Sequence, residues 1–205
     1  MQQIYEQQLW GTNGTQFYSG EGSHHPELVH PYLEVITTFL KAFDEPLTVC
    51  DLGCGDFNIG KELVPHAKKF IAGDIVQNLV DFNTKQFVYP HLEFQCLDVA
   101  KDELPKGDCA ILRQVLQHLS NTEILEVVKK LNAYDYVILT EHLPKGDFIP
   151  NKDIISGQGI RLKKHSGVDL LEAPFYLKVK ESKTLLSQNA IAFKGQLVTV
   201  LYRMF

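Results

Sequence analysis

Three aspartates stand where acids can recognise a nucleoside. Asp51 extends the apolar run Leu47-Thr48-Val49-Cys50 and directly precedes Leu52-Gly53-Cys54-Gly55. Asp74 ends Phe70-Ile71-Ala72-Gly73, and Asp98 follows Leu92-Glu93-Phe94-Gln95-Cys96-Leu97. The glycines let the backbone turn sharply and approach a ligand closely, with N–H groups directed at it. Asp74, with Ile75 beside it, can accept both hydroxyls of a ribose, and Asp98, with Val99 beside it, can accept the exocyclic amine of adenine. A glycine turn alone fits a dinucleotide site or a plain tight turn equally well. Asp51 narrows it: a pyrophosphate disfavours an acid there, whereas a ligand carrying an ammonium and a sulfonium tolerates one.

A second set of residues suits proton transfer and acceptor binding. His118 follows Leu112-Arg113-Gln114-Val115-Leu116-Gln117, and Glu141-His142 follow the apolar run that ends at Thr140. Imidazole and carboxyl groups are the usual general bases. His118 reads equally as a helix-start histidine bonded to backbone, and Glu141 as a solvated loop acid. Arg161 and His165 can hold an anionic or hydroxylated molecule, while Lys163-Lys164 read as a solvated charge run. Ser19-Gly20-Glu21-Gly22-Ser23 is either a flexible turn or a loop that folds over a ligand carboxylate with hydroxyl and backbone donors.

The elements that must position these groups follow from hydrophobic spacing. Val29, Tyr32, Leu33, Ile36, Leu40 and Phe43 recur at helical spacing from Pro26, and Pro46 stops that helix. Short apolar runs then alternate with helical stretches at 59–66, 76–87 and from Asn121, taken as an N-cap. Strands are expected at 47–50, 70–73, 92–96, 109–112 and 134–140. That alternation implies a parallel sheet covered by helices. Two long β-like runs, 175–186 and 196–205, leave no room for a crossover helix between them and should pair antiparallel around a turn at 187–190. The expected fold class is α/β: a Rossmann-like, mostly parallel seven-stranded sheet closed by an antiparallel C-terminal hairpin, with helices on both faces. One domain is expected over 1–205. It comprises an N-terminal loop and helix (1–45), a cofactor core (46–140), a substrate-side cap (141–174) and the hairpin (175–205).

Composition excludes several classes. The chain has 205 residues, 44% hydrophobic and 22% charged, with a net charge of -5. The acidic balance argues against a nucleic-acid partner. No apolar run is long enough for a membrane-spanning helix, and the first residues lack a secretory pattern, so a cytoplasmic location is expected. The four cysteines, Cys50, Cys54, Cys96 and Cys109, form no CxxC pair. They read as buried thiols, and no metal site is expected.

The segment Val49 to Thr140 resembles the cofactor half of class I S-adenosylmethionine-dependent methyltransferases. Asp51-Leu52-Gly53-Cys54-Gly55 matches that family's first motif, and Leu112 to Leu119 is similar to its fourth-strand motif. The resemblance implies that Gly53 and Gly55 border the methionine part of S-adenosylmethionine, that Asp74 holds the ribose, and that Asp98 with Val99 frames the adenine. Many relatives carry an acid near Gln114; the amide here can orient the cofactor but is a poor base. Ser19 to Ser23, together with Ser166-Gly167-Val168-Asp169-Leu170 and Pro174-Phe175, also resembles a group of small bacterial methyltransferases. In that group, Ser19 and Gly20 would lie over the cofactor.

The reading is a methyltransferase acting on an oxygen of a small polar or sugar-like acceptor, with His118, Glu141 and His142 as catalytic candidates. Two alternatives stand beside it: an NAD(P)-dependent oxidoreductase and a non-catalytic S-adenosylmethionine-binding subunit. Oligomeric state is not legible.

Overall fold

The computed structural model describes residues 7, 9, 11, 14, 17–189 and 195–205. The chain divides into two compact units, Met1–Asp98 and Val99–Phe205. The seven strands follow the order β3-β2-β1-β4-β5-β7-β6, the mixed, mostly parallel sheet expected from the spacing.

In the first unit, α1 spans Pro26–Leu40 and buries Leu28, Val29, Tyr32, Ile36 and Leu40 on one face. Pro26 occupies its first turn, where a missing N–H costs nothing. It stops before Phe43 because its end tightens: the Ala42 N–H reaches back to the carbonyl of Phe39. Strands β1 (Thr48–Leu52), β2 (Lys69–Asp74) and β3 (Leu92–Cys96) pair in parallel, Thr48 opposite Lys69 and Phe70 opposite Leu92. Between them lie the one-turn α2 (Gly60–Leu63), a 3-10 turn at Val64–His66, and α3 (Gln77–Gln86). Phe57, fully buried, sets its ring edge-on to Phe70, Phe87 and Phe94 at centroid distances of 5.8, 5.2 and 4.8 Å. β3 is only partly covered, and Cys96 at its end is exposed. That corrects the expectation of four buried thiols; Cys54 is half-buried.

In the second unit, β4 (Cys109–Arg113) is wholly buried and runs parallel to β5 (Tyr136–Leu143). A 3-10 turn at Leu116–His118 and α4 (Asn121–Leu131) connect them. The N-cap of α4 is Ser120, one residue before the expected Asn121. Its hydroxyl takes the Glu123 N–H while the Glu123 side chain takes the Ser120 N–H, a reciprocal cap that Asn121 could not form. β5 runs three residues beyond Thr140 because β7 (Gln196–Arg203) pairs antiparallel along it, His142 opposite Leu197. Glu141 and His142 are therefore strand residues and not the start of a loop. β6 spans Glu181–Asn189 and pairs antiparallel with β7, confirming the hairpin. Its first half was expected from 175, but Phe175 and Tyr176 turn back on Glu172, and Leu177 bonds Leu170. Ser187, Gln188 and Asn189, expected in the turn, instead extend β6 and pair with Val198, Leu197 and Gln196, while Ala190 lies outside the described residues.

Beyond Leu143, where β5 ends, the expected cap has one short 3-10 turn, Arg161–Lys164, and is otherwise irregular. Buried Asn151 substitutes for regular structure. Its amide donates to the carbonyls of Asp169 (2.7 Å) and Ala173 (2.8 Å), and its oxygen accepts the Asp169 N–H at 2.8 Å.

Candidate functional site

The first unit brings the glycine turn and Asp74 into direct contact. Gly53 and Gly55 have φ of 95° and 56°, the left-handed region that disfavours a side chain. The N–H groups of Gly53 and Cys54 both reach the carbonyl of Gly73, at 2.8 and 2.9 Å. The Gly55 N–H donates to one Asp74 carboxylate oxygen and the Val76 N–H to the other, each at 3.1 Å. The turn after β1 is thus tied to the acid that ends β2. Burial raises the Asp74 carboxyl above the usual carboxylate range, against the pull of these N–H donors.

Asn83, buried on α3, donates to the carbonyl of Gly55 at 2.8 Å, while its own side-chain oxygen has no partner. Asp51 is buried, with its carboxylate 3.0 Å from where a Cβ on Gly60 would stand. Ile75 is exposed. The Leu97 N–H bonds the carbonyl of Asp74, which sets half-buried Asp98 just past the end of β3.

Ser19 and Gly20 belong to a pinned segment. The Ser19 hydroxyl accepts the Asp56 N–H at 2.8 Å and the Ser19 N–H donates to the Asp56 carboxylate at 2.9 Å. His24 meets the same carboxylate at 2.6 Å. Gly20, φ 86°, opens the 3-10 turn Glu21–Ser23. Asp56 and Asn83 were not anticipated. Asp56 adjoins the motif, but only the fold shows that it ties down the N-terminal segment.

The second unit gathers Glu141, His142, His118 and Arg161 around one turn. Glu141, 2% exposed, accepts the N–H groups of Leu116 (2.9 Å) and Gln117 (3.1 Å). Burial pushes its carboxyl up to about 8 against those donors and the Arg161 charge. It is therefore no solvated loop acid. Arg161, 1% exposed, covers the turn's other end. Its guanidinium donates to the carbonyls of Leu116 (3.2 Å), Gln117 (3.4 Å), Leu119 (2.8 Å) and Lys152 (3.1 Å) and to the Asn121 side chain (2.8 Å). All five N–H donors of the fork have protein acceptors. His165 stands apart, exposed on the cap with Nε2 3.2 Å from the carbonyl of Asp147.

Between the imidazoles lies Gln117, which sequence reasoning missed. Its side-chain oxygen accepts the His142 N–H at 3.2 Å and lies 3.0 Å from His142 Nδ1. Its nitrogen lies 3.3 Å from His118 Nε2, and His118 Nδ1 is 3.1 Å from the carbonyl of Gly157. Burial lowers both imidazoles to about 4, with Arg113 adding to the effect at His142. Gln114 has φ 58°, and its buried amide nitrogen has no partner, so a donor is left for a ligand. Val99 is buried after Asp98. Among the described residues, no group of His, Cys, Asp and Glu is arranged to hold a metal ion.

No family model and no curated protein matches the chain. Solved structures do. The N-methyltransferase NodS from Bradyrhizobium japonicum WM9, in complex with S-adenosyl-L-homocysteine, superposes with a TM-score of 0.67 at 13% identity, over 98% of this chain and 97% of that one. The N-terminal domain of EvdMO1 with S-adenosylhomocysteine bound gives 0.61 at 14%, over 100% and 95%. Human N-acetylserotonin methyltransferase in complex with S-adenosylmethionine gives 0.57 at 17%, over 86% and 52%. The fold is the class I methyltransferase fold. Within it, the β5-β7-β6 arrangement is the antiparallel closure that the two terminal runs implied.

Proposed function

We propose that the chain is an S-adenosylmethionine-dependent methyltransferase acting on an oxygen of a small polar or sugar-like acceptor. The observation that carries this is the bond from the Gly55 N–H to Asp74, which holds a glycine turn against a buried ribose-type acid on the neighbouring strand. The fold likeness to the N-methyltransferase NodS and to EvdMO1, both with S-adenosylhomocysteine bound, supports the cofactor part of this reading. Asp51, Gly53, Gly55, Asp74, Ile75 and Asp98 would hold the cofactor from the first unit, with Ser19 and Gly20 in the segment pinned to Asp56. Val99 and Gln114, of the second unit, are assigned to the cofactor from the sequence motifs alone. When bound, the cofactor supplies a methyl group already activated on a sulfonium.

The protein's part is then alignment and, for a hydroxyl acceptor, a place for the proton. His142 is the group we assign to that proton. Glu141 and Arg161 act through the turn at Leu116–His118, each bonded to its backbone. His165 remains available to an acceptor from the exposed cap.

Titration calorimetry with S-adenosylhomocysteine tests the cofactor assignment. Saturable binding is expected, with affinity falling about 10- to 100-fold in Asp74→Asn, as suits loss of hydrogen bonds to a charged group. Stabilisation by NADH together with no response to S-adenosylhomocysteine would overturn the reading.

A further inference from the structure

Gly55 has no side chain, and at φ 56° the two peptide planes that meet there are oriented by whatever their polar ends bond. All four ends are taken. In the Cys54–Gly55 peptide, the Cys54 carbonyl accepts the Phe57 N–H at 3.1 Å and the Gly55 N–H donates to Asp74 at 3.1 Å. In the Gly55–Asp56 peptide, the Asp56 N–H donates to the Ser19 hydroxyl at 2.8 Å, and the Gly55 carbonyl meets the Asn83 side chain at 2.8 Å. A carbonyl can only accept, so the Asn83 group on it is the NH2 and the other atom is the oxygen. That oxygen is buried and has no hydrogen-bond partner among the described residues. Asn83 as a whole is 0% exposed. Burying an amide with its oxygen unpaired costs stability, which an apolar side chain at this place on α3 would avoid. In return Asn83 supplies one directed donor, aimed at Gly55.

We propose that Asn83 is a positioning residue of the cofactor site: by holding the Gly55 carbonyl, it sets where the glycine turn stands against Asp74. The proposal rests on the methyltransferase reading of that site. Asn83 and Asp74 grip one residue from opposite ends, Asp74 by its N–H and Asn83 by its carbonyl. The same Asp74 carboxylate takes the Val76 N–H at the start of α3, and α3 carries Asn83. Turn, acid and helix are thereby closed into one ring of bonds made by the protein alone. A site already held in its binding geometry loses less freedom when a ligand enters. Without the amide, the Gly55–Asp56 peptide is held by its N–H end alone, on a hydroxyl of the N-terminal segment.

The test is titration calorimetry with S-adenosylhomocysteine on two variants, with thermal unfolding and amide exchange beside it. Asn83→Leu keeps the branching and removes the donor. Its affinity should fall about 10-fold while the melting temperature moves by no more than about 4 °C, because one unpaired oxygen is removed as one carbonyl is left unpaired. Asn83→Asp restores the donor only while neutral, since a carboxyl O–H can donate to a carbonyl and a carboxylate cannot. Its affinity is taken as a ratio to the unaltered chain, so that titration of Asp51, Asp56 and Asp74 cancels. That ratio should be close to one at about pH 5 and fall as the pH rises to about 9. A merely structural role gives no such profile. Unchanged affinity in Asn83→Leu, or a deficit in Asn83→Asp as large at the acid end as at the alkaline end, would overturn the proposal. If Asn83→Leu does not fold, the Asn83→Asp profile decides alone. Exchange of the Gly55 amide, followed by NMR without ligand, should quicken in the variant that lacks the donor while the amides of β2 stay as they were. If the unaltered chain does not bind S-adenosylhomocysteine and Gly55 exchange quickens, the methyltransferase reading fails and the hold on the turn stands; if exchange is also unmoved, both fail. If the unaltered chain binds and both variants bind equally well, the role of Asn83 fails alone.

Discussion

The glycine turn of the first unit and the imidazole cluster of the second are both buried and polar, yet they are ordered by different means. At the turn, backbone does the work. Gly53, Cys54, Gly55 and Val76 place their N–H groups on Gly73 and Asp74, and the side chains involved are few and short. At the cluster, long side chains from distant parts of the chain hold one short 3-10 turn by both its N–H and its C=O groups. The turn should therefore be sensitive to the space around its backbone, and the cluster to the loss of single side chains.

The largest effect expected is at Arg161. Arg161→Met leaves the carbonyls of Leu116, Gln117, Leu119 and Lys152 without that donor inside the protein, at a cost of roughly 3–5 kcal/mol in chemical denaturation. Arg161→Lys should rescue little, because an ammonium cannot reproduce a planar five-donor fork. A loss below about 1 kcal/mol would mean that the cluster is held by something other than this fork.

Next comes the space beside the turn. A Cβ on Gly60 would stand 2.2 and 2.5 Å from two carbons of the Phe57 ring, which cannot move aside from Phe70, Phe87 and Phe94. Gly60→Ala should cost about 1–3 kcal/mol in the same measurement. Gly146→Ala, where no atom lies within 4 Å of the added carbon, measures the conformational cost alone, since φ there is 72°. Equal losses at the two glycines would remove crowding as the distinguishing property of the turn.

The third prediction separates the two regions by pH. His118 and His142 titrate at about 4 against an ordinary 6.5, so the unfolded chain binds more protons between those values and stability rises with pH across that window. Glu141 titrates at about 8 against an ordinary 4.5, so the folded chain keeps its proton longer and stability falls as pH rises from 4.5 to 8. Two imidazoles outweigh one carboxyl below 6.5, and the carboxyl acts alone among the three above it. Unfolding free energy should therefore peak near pH 6.5. Glu141→Gln should flatten the alkaline side and steepen the rise between pH 4.5 and 6.5, where the carboxyl no longer offsets the two imidazoles. An alkaline fall that persists in Glu141→Gln would assign it to another group.

The smallest effect concerns α4, which follows the cluster. Ser120→Ala removes the cap from the Glu123 N–H and should cost about 1 kcal/mol. Asn121→Ala should cost more, because Asn121 serves Arg161 and the carbonyl of Asn151 and is not the cap. The reverse order would restore Asn121 as the N-cap.

The same difference governs what could be read from the chain beforehand. The turn was legible because its parts are consecutive or lie at strand ends, where apolar runs give away the boundaries: Asp51, Gly53, Gly55 and Asp74 all follow from local pattern. The sheet class was legible for the same reason, down to the antiparallel closure. The cluster was only half legible. His118, Glu141, His142 and Arg161 were nominated by residue type, but Gln117, whose amide joins two rings, looks like any other glutamine in a motif. β5 was expected to end too early because Glu141 and His142 are polar; their burial comes from the pairing with β7, a contact between residues far apart in sequence. Arg161 was named as able to hold an anionic or hydroxylated molecule, and no local pattern announces its five internal acceptors.

β6 carries a consequence of another kind. It ends the strand order among the described residues and is exposed along much of its length, the position at which an extended chain can add to a sheet. The register shift between Thr184 and Leu186 breaks that ladder in the middle, and Lys183 would place a charge in any added strand's path. Edge-to-edge growth into aggregates is thereby opposed within the strand itself.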